Sequence, residues 1–296
     1  MRSVSFIGYG ELAEALGRGL TDASVEVRAY VRPRSNGAAA RARRERMRAA
    51  GVKTCESVAA VLSDVDVVIA AVPAAAAIEV VDACANHLRP GQLYVDPTSS
   101  LPNVKRSAAE RVELTGADYV DVAVVGTVVT AGARVPMLAA GGGAARWQGE
   151  AAAVGMNVTA IDGAAGDAAL VKLLRSVFMK GRDALVLEML LAARRYGVHE
   201  AVLASIGGPA EQVSFPNLAE RVMCSLAVYA ERRADELADT ACLLEEVGVD
   251  PVMTLAGESR LRLFARMELR ERFGGERPRD LTDVLSALDS LESARA

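Results

Sequence analysis

A glycine turn between an apolar strand and an amphipathic helix constrains this chain most. Val4 to Ile7 form a short apolar run, followed by Gly8-Tyr9-Gly10-Glu11-Leu12-Ala13. Leu12, Ala13, Leu16 and Leu20 then recur at helical spacing. Gly8-x-Gly10-x-x-Ala13 is the dinucleotide fingerprint with alanine as its third small residue. The first glycine makes the tight turn, and the second lets backbone approach a pyrophosphate. The third small residue lets the helix lie close to the strand. The free N–H groups of the helix start then face negative charge. Tyr9, Glu11 and Leu12 lie within this loop and are expected to border the nucleotide with Gly8, Gly10 and Ala13.

The pattern that follows alternates strand and helix. Val25 to Val31 alternate as a second strand, Arg32 to Gly37 form a turn, and a basic helical stretch runs from Ala38 to Ala50. Val65 to Ala70 read as a mostly buried strand ending at Val72-Pro73, with a helix from about Ala75 to His87. Leu93 to Asp96 are the next strand, and a helix covers about Val104 to Leu114. Tyr119 to Val124 and Pro136 to Ala140 are two more strands, the last ending in Gly141-Gly142-Gly143. Such alternation predicts a parallel sheet with helices on both faces. The pattern changes near Gly163. Asp167 to Arg195 form a long helix-like run broken only by Gly181, and everything beyond reads as helix, with stops near Gly197, Gly207-Gly208-Pro209, Gly248 and Gly274-Gly275. The fold class is therefore α/β: a Rossmann-type doubly wound parallel sheet over residues 1–163, followed by an all-helical domain over residues 164–296. A length of 296 residues suits two domains.

The end of the second strand chooses between cofactors. NAD sites usually carry Asp or Glu there, to bond the ribose hydroxyls. Here Val31 is followed by Arg32, Pro33, Arg34 and Ser35, with no acid. Guanidinium groups suit a 2′-phosphate through charged, bidentate bonds. NADP is expected, ahead of NAD.

Composition removes other classes. The net charge of -4 gives no excess of positive charge for nucleic acid or an anionic membrane. Cys55, Cys84, Cys224 and Cys242 lie far apart, and the chain has only two histidines, His87 and His199, so no metal site is expected. Reduced thiols in a cytoplasmic protein are the expectation. The most apolar stretch, Val67 to Ala77, contains Pro73 and is too short to span a bilayer. His87, His199 and Ser214 read as helix-end residues, and the Arg41 to Arg48 run as a solvated helix face that can skirt the adenosine phosphate. Among 34 basic residues only Lys53, Lys105, Lys172 and Lys180 are lysines, so each stands out.

These motifs together resemble the β-hydroxyacid dehydrogenase family, which includes 3-hydroxyisobutyrate and 6-phosphogluconate dehydrogenases. The glycine turn matches at Gly8 to Ala13, an Asn-Arg-Thr-like turn is matched in part by Val31-Arg32-Pro33, and a Val-Pro turn by Val72-Pro73. An Asp-x-Ser-Thr segment is similar to Asp96-Pro97-Thr98-Ser99, which the resemblance places with Val72 and Pro73 on the nicotinamide side. The family's substrate loop, roughly Asp-Ala-Pro-Val-Ser-Gly-Gly, is similar to Asp121 to Thr127, with Val125 in place of the serine and Thr127 in place of a glycine. The backbone N–H groups of Val125, Gly126 and Thr127 are expected to grip a substrate carboxylate.

The family's catalytic segment has a glycine pair, then Lys, then Asn four residues on. Here Gly163 and Gly166 precede Lys172, and Ser176 stands where Asn is usual. The resemblance implies Lys172 as general acid/base, with Ser176 bonding the reacting oxygen. On a helix Lys172, Ser176 and Lys180 share one face. Apolar neighbours Val171, Leu174, Val177 and Phe178 would loosen the lysine's proton. Lys180, if it points inward, would add to this or bind a substrate anion. The implied activity is NADP-dependent interconversion of a small hydroxy acid and its oxo form. The active site is expected between the domains, in a homodimer held by the helical domain. An imine reductase shares the architecture, and a catalytically silent NADP-binding sensor is the rival from another class.

Overall fold

Val67 to Ala70 form a continuous apolar run, and strand side chains alternate between two faces. In the computed structural model, which describes residues 1–32, 38–207 and 212–293, β1 (Ser3–Ile7), β2 (Glu26–Tyr30), β3 (Lys53–Cys55) and β4 (Val67–Ala70) lie in one sheet with β5 (Leu93–Asp96), β6 (Asp118–Val124), β7 (Met137–Ala140) and β8 (Val158–Ala160). The strand order is β3-β2-β1-β4-β5-β6-β7-β8. Val67 and Ile69 point into one core with Phe6, Leu16, Met47 and Trp147. Val68 and Ala70 point into the other, with Val81, Cys84, Tyr94 and Val112. Burial on both faces is the reason the run from Val67 to Ala70 is so uniformly apolar.

The helices that cover the sheet are α1 (Glu11–Asp22), α2 (Ala38–Ala49), α3 (Val58–Leu62), α4 (Ala77–Ala85), α5 (Pro102–Glu113), the single turn α6 (Val128–Ala131) and α7 (Ala144–Ala152). The Rossmann-type doubly wound sheet stands, with one correction. β7 runs antiparallel to β6, with Val124 opposite Met137, and β8 runs parallel to β7. The link from β6 to β7 holds only α6 and one tighter turn, not the full crossover helix that a parallel return requires. The sequence missed β3 and β8, since three residues are too few to show alternation. It also missed α3 and α7.

The long helix α8 (Asp167–Arg195) passes through Gly181 without a break. A lone glycine costs a helix only about 1 kcal/mol, which 29 residues of helix absorb. Two compact units result, Met1–Val177 and Phe178–Ala296. The first unit runs past residue 163 because the start of α8 is seated on the sheet. Ala168 joins a small core with Ala123 and Ala140. Asp121 of β6 accepts hydrogen bonds from the N–H groups of Gly166 and Ala169, both at 3.0 Å.

The second unit is helical: α9 (His199–Ile206), α10 (Phe215–Glu246), α11 (Val252–Ala265), the short α12 (Leu269–Arg272) and α13 (Leu281–Ser293) follow the end of α8. α10 bends at Tyr229, where the backbone leaves helical geometry. It lies along α11, and Cys224 and Ala227 bury against Leu269, Val284 and Ala287. Ala192 of α8 packs with Leu244 and Val249. Glu188 caps α11, accepting from Met253 N at 2.7 Å, Thr254 N at 2.9 Å and Thr254 Oγ1 at 2.6 Å.

Candidate active site

The strand order reverses between β1 and β4, and the glycine turn sits at that switch point. Gly8 has φ +87°, and a Cβ there would lie 2.4 Å from the Ala71 carbonyl oxygen. Its N–H donates to Tyr30 O at 2.8 Å, tying the ends of β1 and β2 together. Gly10 is the N-cap of α1 and supplies no side-chain cap to the first N–H groups. A Cβ on Gly10 would meet open space. Ala13 is fully buried against the sheet. A cavity of about 350 Å³ opens beside the turn, bordered by Gly10, Arg32, Arg43, Val72, Pro73 and Glu79 among others. A second hollow, lined by Gly10 to Ala13, Ala71 to Pro73, Pro97 and Thr98, joins the turn to the end of β5. Uncapped N–H groups and free space over Gly10 fit a pyrophosphate, so these residues fit a dinucleotide. Tyr9 borders the cavity, but its side chain is buried in the core, edge-on to Phe6.

At the end of β2 the structure adds a residue the sequence did not suggest. Arg32 is ion-paired with Glu79 of α4, and Arg43 of α2 borders the same cavity. The acid absent from the end of β2 thus comes from another element. Pro33, Arg34 and Ser35 lie outside the described residues. Cys84 also lines the cavity, and burial pushes its thiol up to about 12, so it is no nucleophile.

Lys172 Nζ donates to Ser99 Oγ at 3.0 Å. This contact joins two sequence motifs, the segment after β5 and the second turn of α8. Burial lowers the Lys172 proton affinity, the Lys105 charge lowers it further, and the Asp121 carboxylate opposes both. Val171, Leu174 and Val177, beside Lys172 in sequence, are themselves exposed. The second ammonium that bears on Lys172 is Lys105; Lys180 is exposed and belongs to the second unit. Ser176 Oγ donates to the Lys172 carbonyl at 2.8 Å, which leaves the hydroxyl as an acceptor. In the expected substrate loop, the Val125 N–H donates to Pro136 O at 2.9 Å and is already used. A Cβ at Gly126 would lie 2.6 Å from Pro136 Cδ, so this glycine serves packing.

Beneath Ser99 and Lys172 lies a buried polar cluster that sequence reasoning missed. Lys105 of α5 is fully buried. Its Nζ donates to Asp96 O at 2.6 Å and pairs with Asp96 Oδ1 at 3.0 Å and Asp121 Oδ1 at 3.3 Å. Tyr119 donates to Asp96 Oδ2 at 2.7 Å. Burial and the Asp96 charge push the Tyr119 phenol far up, so it stays a donor. A signal was present: Lys105, Ala108, Ala109 and Val112 are the buried residues of α5, so the lysine occupies its apolar stripe. Among the described residues no cluster of His, Cys, Asp and Glu is placed to hold a metal ion, and no helix is long and apolar enough to cross a membrane.

Comparison with known proteins agrees with this fold. The family described as the NAD binding domain of 6-phosphogluconate dehydrogenase matches residues 3–159. A domain of unknown function (DUF1932) matches residues 193–264. A conserved hypothetical protein from Sinorhizobium meliloti 1021 is 30% identical, over 90% of this chain and 89% of that one, with a TM-score of 0.61. A conserved protein of unknown function, described as structurally similar to 3-hydroxyacid dehydrogenases, is 29% identical over 90% and 99% of the two chains, with a TM-score of 0.62. An imine reductase from Aspergillus terreus in complex with NADPH4 is 19% identical over 97% and 99%, with a TM-score of 0.75; that likeness is one of fold. The first match takes in more than half of the residues, the glycine turn and the Asp96 to Ser99 segment among them, and so the chain belongs to the family of NAD(P)-binding oxidoreductases defined by the NAD binding domain of 6-phosphogluconate dehydrogenase.

Proposed function

We propose that this protein is an NADP-dependent oxidoreductase that interconverts a small anionic hydroxy acid and its oxo form. The observation that carries the reading is the Lys172–Ser99 pair, 3.0 Å apart, with Ser99 next in sequence to Thr98, which lines the hollow at the glycine turn. Gly8, Gly10 and Ala13 would hold the pyrophosphate, with Glu11 and Leu12 at the helix start. Arg32 and Arg43 would hold the 2′-phosphate, and Val72 and Pro73 the nicotinamide side. The bound nucleotide supplies or accepts the hydride.

Lys172 handles the proton. With its proton held loosely, the neutral amine takes the proton of the substrate hydroxyl, and the ammonium returns it to the carbonyl oxygen in the reverse direction. Ser99 Oγ accepts from Nζ and so aims it. Ser176 would bond the reacting oxygen by turning its Oγ–H from the Lys172 carbonyl to it, and the N–H groups of Gly126 and Thr127 bind the substrate carboxylate. Lys180 is proposed as a further anion contact.

The helical unit exposes Leu185, Leu187, Leu203 and Ile206. Apolar residues presented so openly support a homodimer. All four cysteines are free, which supports a reducing, cytoplasmic setting.

The test is NADPH oxidation by wild type and Lys172→Ala against a panel of small oxo acids and cyclic imines. Turnover of an oxo acid, lost in the variant while cofactor affinity is kept, is the expected result. A cyclic imine turned over faster than any oxo acid replaces the reading with an imine reductase. Cofactor binding without any turnover replaces it with a sensor.

A further inference from the structure

A cation wholly removed from solvent is unusual unless it is paired. Lys105 has three oxygen partners, and they come from two strands. Asp96 is the last residue of β5, and the segment leaving it carries Ser99. The Asp96 carboxylate also accepts from Thr98 N at 2.8 Å, pinning the first turn of that segment. Thr98 Oγ1 and Ser100 Oγ, both buried, are 2.8 Å apart and leave Ser99 facing outward. Asp121 holds the start of α8 through Gly166 N and Ala169 N. Gly166 makes that junction close: its φ is +100°, and a Cβ would lie 2.7 Å from Pro102 O at the start of α5. Lys172 follows Ala169 by one helical turn.

We propose that Lys105 is a positioning residue for the Lys172–Ser99 pair, its buried ammonium locking the segment that carries Ser99 to the carboxylate that caps the Lys172 helix. The proposal rests on the reading of Lys172 as the proton-transfer residue. Asp96 and Asp121 would otherwise be two neighbouring buried carboxylates with no cation between them, free to separate or to draw Lys172 inward. The charged groups that act on Lys172 are Lys105 from α5 and Asp121 from β6, with Ser99 its hydrogen-bond partner. Loss of Lys105 removes a like charge and leaves the attraction of Asp121. Lys172 then holds its proton more tightly, and its Nζ leaves Ser99.

The chain has only four lysines, so isotope labelling at lysine Cε gives few enough signals for an NMR titration of the full chain without cofactor. The Lys172 signal is the one missing from Lys172→Met. In wild type it is expected to titrate below the ordinary lysine range. In Lys105→Met its midpoint moves up, kcat falls about 100-fold, as a misplaced catalytic group implies, and the pH limb of kcat moves with the midpoint. Where Lys105→Met does not fold, Lys105→Gln takes its place, since the amide can still donate to Asp96 O; the same upward movement is expected. A Lys172 midpoint unmoved in a folded Lys105 variant overturns the proposal. The catalytic reading is tested separately: full turnover in Lys172→Met overturns that reading, while the titration still decides whether Lys105 controls Lys172.

Discussion

The Glu79 carboxylate of α4 holds the Arg32 guanidinium at the rim of the nucleotide cavity. Both groups are well exposed, so the pair itself adds little stability. Its consequence is for binding. A 2′-phosphate at Arg32 competes with Glu79 for the guanidinium and meets the carboxylate as a like charge. Arg32→Ala is therefore expected to weaken NADPH binding by about 10–100-fold, the worth of a charged hydrogen bond, and NADH binding far less. Glu79→Gln is expected to tighten NADPH binding about two- to fivefold, the worth of an exposed ion pair. Fluorescence titration of both nucleotides on the three proteins checks this. Unchanged NADPH affinity in Arg32→Ala sinks the assignment of that residue.

Lys172 sets the pH dependence. Burial and the Lys105 charge lower its proton affinity, so its titration lies below the ordinary lysine range. Oxidation of a hydroxy acid needs the neutral amine, so its rate rises as pH climbs through that value. Reduction needs the ammonium, so its rate falls through the same window. Lys172→Ala should lose this limb in both directions and lower kcat about 10²–10⁴-fold. Initial rates across pH, in each direction, are the measurement.

The two glycines of the turn separate folding from binding. Gly8→Ala places a Cβ 2.4 Å from Ala71 O at φ +87°. Strain and overpacking together should destabilise the first unit by about 2–4 kcal/mol. Gly10→Ala meets open space, and its denaturation midpoint should stay within about 0.5 kcal/mol of wild type. Its methyl group fills the cradle, so nucleotide affinity should drop at least about tenfold. Equal stability of both variants contradicts the geometry.

Glu188 gives the helical unit an acid-sensitive joint. Burial raises its carboxyl, but the bonds from Thr254 and Met253 outweigh that and hold it below the usual range. A lowered folded value means stability that is fully present above the unfolded value and lost as pH falls through the folded one. Glu188→Ala should cost about 1–2 kcal/mol at neutral pH, as loss of a helix cap does. The difference from wild type should shrink in acid. Urea denaturation of both proteins at neutral and acid pH tests it; a pH-independent difference counts against the cap.

What the chain's one-dimensional pattern determined is of short range. The Gly8 to Ala13 turn, the strands β1, β2, β4 and β5 and the run from Asp167 to Arg195 were legible because steric rules and burial repeat at the periods of strand and helix. The motif around Lys172 and the Asp96 to Ser99 segment were legible by resemblance. Tertiary structure alone decided what meets across elements. The antiparallel return of β7 followed from a link too short for a crossover. Glu79 reached Arg32 because α4 passes the end of β2, a proximity that no local pattern encodes. Lys105 stood out as one of four lysines, but its role appeared only when its helix was laid against β5 and β6. Only a folded sheet brings Asp96 and Asp121 close enough to neutralise a buried ammonium, and only that neutralisation makes its burial affordable in free energy.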